Sequence, residues 1–302
     1  MDHLAGQKIL VTGATGQVAK PIALALARDN DVWALARFKD SIARQELEKA
    51  GVTCVSHNLT TEDFATVPDD FAYVLNLAVV KSGKWDRDLA GNAESVGLLM
   101  RHCRSAKAFL HCSSTGVYAP NGRQPLAEDA ALGDNHRSLM PTYSISKIAA
   151  EVIARYGARE WELPTVIARL NVPYGENGGW PAFHLEQLLA GQPIEVHLDA
   201  PSVYCPIHED DIVAQVPLLL DAASVPATTV NWAGTDAVSV EDWCAYLGQL
   251  VGAQPTFRHS DQALESVVTD NTRMHALIGP ARIGWQEGMR RMVVARHPER
   301  LA

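Results

Sequence analysis

A doubly wound parallel α/β sheet carrying a smaller C-terminal α/β lobe is the fold this sequence predicts, and three observations predict it. The β-branched run Gln7 to Thr12 passes straight through a glycine turn into a helical pattern with Val18, Ile22, Ala25 and Leu26 on one face. Strand-like and helix-like segments then alternate along the first half of the chain, which is the pattern of βαβ units. Within that alternation the run Ala72 to Ala78 is almost wholly apolar, as a central parallel strand covered on both faces must be. At 302 residues and 47% hydrophobic, the chain can bury a full core.

Composition excludes several classes. A formal net charge of -9 and the lack of any Lys/Arg-rich run argue against a nucleic-acid partner. The start Met1-Asp2-His3-Leu4 has no basic region leading into an apolar stretch, and runs such as Ala72 to Val80 are too short to cross a bilayer. A soluble, cytoplasmic protein with no membrane partner is therefore expected. Cys54, Cys103, Cys112, Cys205 and Cys244 form no Cys-x-x-Cys pair and are too sparse for a disulfide framework, so reduced thiols are expected.

Taken in order, the first strand ends at Gly13-Ala14-Thr15-Gly16-Gln17-Val18-Ala19. Gly13 permits the tight turn, Gly16 lets backbone approach a pyrophosphate, and the small Ala19 lets helix and strand pack closely, with the helix N-terminus facing the anion. This context predicts a dinucleotide site whose candidate contacts are Gly13, Thr15, Gly16, Gln17 and Val18. The second strand, Asp31 to Ala36, ends without the carboxylate that would accept hydrogen bonds from an adenosine ribose; Arg37 follows, with Lys39 beyond. A guanidinium suits a 2′-phosphate, so NADP is preferred over NAD. A polar helix (Ser41 to Ala50) and a strand (Val52 to Ser56) lead to Asn58 and Leu59, placed to meet an adenine, although Asn58 suits a turn equally well.

The run Ala72 to Ala78 brings Leu77 and Ala78 to the carboxyl edge of the sheet, where a cofactor could lie, and Lys81 follows closely. A helix from about Asp86 to Arg104 carries Asn92. The strand Ala108 to Cys112 ends in Ser113-Ser114-Thr115-Gly116-Val117-Tyr118, hydroxyls placed either to touch a ligand or to cap a turn. Tyr143-Ser144-Ile145-Ser146-Lys147 then sets a phenol and an ammonium four positions apart on one helix face. A phenol with an ordinary pKa of ~10 is a poor base, but an adjacent lysine cation favours the phenolate and makes Tyr143 a candidate acid/base.

In order and spacing, the glycine turn, Asn76-Leu77-Ala78, Ser113 to Tyr118 and Tyr143-x-x-x-Lys147 resemble the short-chain dehydrogenase/reductases. Chain length, Arg169 to Gly175 and Ile207-His208-Glu209-Asp210-Asp211-Ile212 resemble its extended branch, the NAD(P)-dependent epimerase/dehydratase family with its Rossmann sheet. The resemblance spans roughly residues 7 to 240. It implies that Ser114 bonds the substrate oxygen, Tyr143 transfers its proton, and Lys147 holds the nicotinamide ribose. It also implies a cofactor contact at Lys81 and a helix asparagine at Asn92. Residues 1–170, with 203–233 returning to the sheet, would form the dinucleotide-binding domain, and 171–202 with 234–302 the substrate lobe. Family members often pair the helices carrying Asn92 and Tyr143, so a homodimer is implied.

Departures from the family narrow the expectation. Its sugar dehydratases carry an acidic pair after the catalytic hydroxyl, where this chain has Thr115 and Gly116, so dehydration is not expected. Many of its nucleotide-sugar enzymes place an arginine before the Ile-His stretch, whereas Pro201 to Pro206 is uncharged here. Asn171 stands one residue earlier than the usual asparagine, with Val172 in that place. The expected activity is hydroxyl/carbonyl interconversion on a small non-nucleotide substrate, with a nucleotide-sugar 4-epimerase or ketoreductase as the rival and a non-catalytic dinucleotide sensor as a third reading. Ser114, Thr115, Asn171 and Trp180 are candidate substrate contacts, although Trp180 and Phe183 also suit a small-domain core. His208 to Asp211 lack a second ligand cluster, so no metal is expected.

Overall fold

Residues 4–300 are described by a computed structural model; residues 1–3, which belong to the N-terminal start read above, lie outside the described residues, as do 301–302. The chain divides into two compact units. One gathers residues up to Ser114 with Ile145–Arg169 and Val213–Val230, and the other holds Thr115–Ser144, Leu170–Ile212 and the residues from Asn231 on. Residues 115–144 and 203–212 thus cluster with the second unit and not with the dinucleotide-binding part. The backbone gives the reason for the first of these: Leu126 N donates to Val268 O and Asp270 N to Leu126 O, so the segment pairs with late residues of that unit.

The first unit is built on a seven-stranded sheet. Its strands are β1 (Lys8–Thr12), β2 (Asp31–Ala36), β3 (Thr53–Ser56), β4 (Tyr73–Asn76), β5 (Ala108–Ser114), β6 (Thr165–Leu170) and a last strand, Thr228–Trp232. The spatial order runs from that last strand through β6, β5, β4, β1 and β2 to β3, with β5, β4, β1, β2 and β3 paired in parallel. Order reverses between β1 and β4, which is the switch point of a doubly wound sheet. β6 is buried at every position and β5 at all but its last, as strands covered on both faces must be.

Four helices matter to the site: α1 (Ala19–Leu26), α2 (Ser41–Lys49), α3 (Trp85–Leu89) and α4 (Ser95–His102). The long helix expected over 86–104 is interrupted between α3 and α4 by a π-helical turn, Ala90–Glu94. A fifth helix, α5 (Tyr143–Glu160), begins at the tyrosine itself. Val96, Leu99, Ala150 and Ala154 from α4 and α5 pack on Leu10, Val74, Phe109 and Ile167 of the sheet. No helix among the described residues is long and apolar enough to cross a membrane.

In the second unit, helices Trp180–Leu189 and Val240–Val251 enclose a core of Tyr118, Tyr174, Leu185, Trp243 and Leu247. The acidic stretch opens the helix Glu209–Asp221, and its carboxylates serve the backbone and an arginine. Glu209 accepts from Asn177 N, Asp211 from the N–H groups of Arg282 and Ile283, and Asp210 pairs with Arg291.

Candidate active site

Gly13 closes β1 in the left-handed conformation at φ 68°, and a Cβ there would stand 2.7 Å from the Cα of Ala78. Glycine is therefore required twice over, for the turn and for the approach of the β1 and β4 strand ends. Side chains hold that approach. Thr12 Oγ1 donates to Asn76 Oδ1 at 2.8 Å and accepts from Leu77 N and Ala78 N at 3.1 Å each. Asn76 Nδ2 in turn lies 3.1 Å from His111 Nδ1, a ring whose pKa burial drives well below its ordinary value, with the Lys147 charge adding to the effect.

Around these strand ends lies a cavity of about 760 Å³ lined by Gly13, Thr15, Gly16, Arg37, Asn58, Leu59, Leu77 and Ala78 from among the sequence-predicted contacts. α1 starts beside this turn with no side-chain cap and no acid in its first turn, as suits a phosphate-binding helix end. Phe38, Lys39, His57 and Arg87 also line the cavity and were not among the predicted contacts. Phe38 is held at φ 45° with the Arg44 guanidinium 5.3 Å from its ring centroid, a placement no local sequence signal announces. Asp40 borders the cavity too, but its Oδ1 accepts from Ile42 N and Ala43 N and so caps α2. The chemistry of this lining, glycines at a strand switch with cations at one end, fits a dinucleotide.

Other candidates have different work. Gln17 and Val18 do not line the cavity, and neither do Lys81 and Asn92. Asn92 sits in the π-helical turn and is 3% exposed; its Oδ1 accepts from Val80 N at 2.7 Å while Nδ2 donates to Val80 O and to Ser146 Oγ. With its oxygen and both amide protons engaged, it braces the β4 exit against α5. Protein crowding lowers the Lys81 pKa, and its charge in turn acts on Lys147.

Lys147 is 5% exposed and its Nζ donates to Cys112 O at 2.8 Å. Burial is the main cause lowering its pKa, and Lys81 adds to it against the opposing pull of Cys112 and Glu151. Glu151, one turn further along α5, is fully buried and takes a two-point contact from Arg169 of β6 (Nε 2.9 Å, Nη2 2.8 Å) and a 2.6 Å bond from Ser113 Oγ of β5. Tyr143, Lys147 and Glu151 therefore form one stripe of α5, the last of them bolting the helix to two strands. Neither Glu151 nor Arg169 was read from the sequence as part of the site, and Ser113, one of the strand-end hydroxyls, donates to Glu151.

Ser114 ends β5, half-buried, and Thr115 to Val117 form a short 3-10 helix of the second unit. Asn171 is not free for substrate. Its Nδ2 donates to Thr115 Oγ1 and Val267 O, and its Oδ1 accepts from Val172 N and Cys205 N, which uses all four positions and holds Thr115 as well. Trp180 packs against the second unit's core, edge-on to Tyr204 and Trp243.

Among curated proteins, none matches the sequence. Solved structures do match the fold. A UDP-glucose 4-epimerase from Thermotoga maritima with UDP-glucose superposes with a TM-score of 0.83 at 20% identity, over 97% of this chain and 99% of that one. A UDP-glucuronic acid 4-epimerase from Bacillus cereus in complex with NAD gives 0.82 at 19% over 95% and 96%. A dTDP-glucose 4,6-dehydratase from Streptomyces venezuelae with NAD and TYD bound gives 0.82 at 17% over 97% and 98%. The model of the NAD dependent epimerase/dehydratase family matches residues 9–231. That match takes in the glycine turn, Ser114, Tyr143 and Lys147, and the chain belongs to this family, whose chemistry is nicotinamide-dependent interconversion of a hydroxyl and a carbonyl.

Proposed function

We propose that the protein is an NADP-dependent oxidoreductase acting on the hydroxyl or carbonyl carbon of a small, non-nucleotide substrate. The observation that carries this reading is the first turn of α5, where Tyr143 precedes by one turn a buried Lys147 anchored on the strand that ends in Ser114. In this reading Ser114 holds the substrate oxygen, Tyr143 moves the proton, and the Lys147 ammonium favours the phenolate and holds a ribose. Bound nicotinamide supplies or takes the hydride. Arg37, Lys39 and Arg87 line the cofactor cavity, and the Asp40 carboxylate beside them caps a helix, which favours a 2′-phosphate over a bare ribose.

A second reading, a nucleotide-sugar 4-epimerase, is favoured by the near-full-length likeness to a 4-epimerase holding UDP-glucose. Against it, residues 201–206 carry no cation, and nearby Arg123 is already bound to Asp199 and to Pro201 O. Tightly retained, non-exchanging NAD in the purified protein would distinguish this reading. A homodimer along α5, where Ile145, Val152 and Tyr156 are 37%, 59% and 57% exposed, belongs to the proposal, as does a cytoplasmic location, supported by five free cysteines. Tyr143→Phe tests the chemistry. In a screen of small ketones and alcohols read by NADPH absorbance, kcat should fall roughly 10²–10⁴-fold with NADPH affinity and melting temperature unchanged. Near-normal turnover would remove Tyr143 from the mechanism.

A further inference from the structure

His136 lies beside the phenol of Tyr143 and has no part in the chemistry described above. Their ring centroids are 5.1 Å apart at an interplanar angle of 48°. The imidazole also rests on Gly116, where a Cβ would stand 2.3 Å from Cε1 and 2.6 Å from Nδ1, closer than real side chains come. Any residue larger than glycine at 116 would displace the ring.

The backbone ties the two rings together. His136 N donates to Ser144 Oγ at 3.3 Å, Met140 N to His136 O at 2.8 Å, and Tyr143 N to Met140 O at 2.9 Å, so one short hydrogen-bonded turn carries both. The loop is fixed on its other flank as well, where Gly133 N donates to Val117 O and Ala119 N to Ala131 O. Tyr143 is the first residue of α5, in the turn whose N–H groups have no intrahelical partner and which frays most readily. A phenol there needs outside support to hold its aim.

We infer that His136 is a positioning residue for Tyr143, and that Gly116 is the seat that lets it reach the phenol. The inference rests on Tyr143 being the acid/base of the proposed function. His136→Ala should lower kcat roughly 10- to 100-fold, the cost of a misaimed group, with NADPH affinity unchanged. His136→Phe, which refills the seat with a ring but no nitrogen, should restore most of that loss. Gly116→Ala should reproduce the His136→Ala defect and add nothing when combined with it.

Additive defects at 116 and 136, or a His136→Phe as slow as His136→Ala, would overturn the inference, the latter because the nitrogens would then be what matters. NADPH affinity falling in step with kcat would overturn it too. Should Gly116→Ala fail to fold, the His136 pair still decides. Tyr143→Phe measured alongside separates the two readings. Turnover surviving Tyr143→Phe removes the acid/base assignment, whereas an inactive Tyr143→Phe beside a normal His136→Ala removes this inference alone.

Discussion

Arg169→Met should expose how much the site depends on its anchor. Arg169 and Glu151 are each 3% exposed and joined at two points, and Ser113 Oγ also donates to the carboxylate. Removing one partner of a buried ion pair leaves an uncompensated charge, a loss of about 3–5 kcal/mol, whereas replacing both partners by apolar groups is often near neutral. At ~2.1 cal/mol/K of unfolding entropy per residue, the chain unfolds with roughly 0.6 kcal/mol/K, so the single variant should melt about 5–8 °C lower. The double variant Glu151→Met/Arg169→Met should recover most of that difference.

Chemical unfolding supplies a second reading of the same effect. Denaturant titrations of the wild type and the two variants at pH 7 provide the measurement. A single variant within about 1 kcal/mol of wild type, or a double as unstable as the single, would refute the buried-charge reasoning. Because Glu151 lies one turn beyond Lys147, kcat should fall in the single variant even at temperatures where it remains folded.

Two further outcomes are expected. Arg37→Asp should weaken NADPH binding about 10- to 100-fold, the loss of a charge-assisted bond, while NADH binding changes far less; equal losses for both would show that Arg37 does not read the 2′-phosphate. His184 is 2% exposed, accepts from Trp243 Nε1 at 3.0 Å, and has its pKa pushed down to about 4 by burial. A histidine held neutral in the folded state favours unfolding once it can protonate. Stability should therefore drop as pH falls from ~6.5 toward ~4, by up to about 3 kcal/mol. His184→Gln, which keeps an acceptor but does not titrate, should flatten that acid limb in denaturant midpoints, and an unchanged slope would assign it to other groups.

Much of this protein was legible in one dimension because its signals are local. The glycine turn, the apolar central strands and the four-residue spacing of Tyr143 and Lys147 each follow from the periodicity of a single element. The helix Val240–Val251 likewise has a local start signal, a Ser239 cap that accepts from Asp242 N. The interrupted helix at Ala90–Glu94 was not legible, since its apolar pattern runs through the π-helical turn and the brace from Asn92 to Val80 and Ser146 spans 12 and 54 residues.

The sequence alone thus determined the fold class, the dinucleotide turn and the phenol–ammonium pair, all set by spacing within one or two neighbouring elements. Tertiary structure decided what each remaining polar group does, because hydrogen-bond capacity is used up by partners far away in the chain. Asn171 satisfies Thr115 and Val267 and so is withdrawn from the substrate, Glu151 meets Ser113 and Arg169 and becomes the anchor, and Gly116 serves to admit His136. No local pattern encodes those meetings, for they exist only once the strands have stacked.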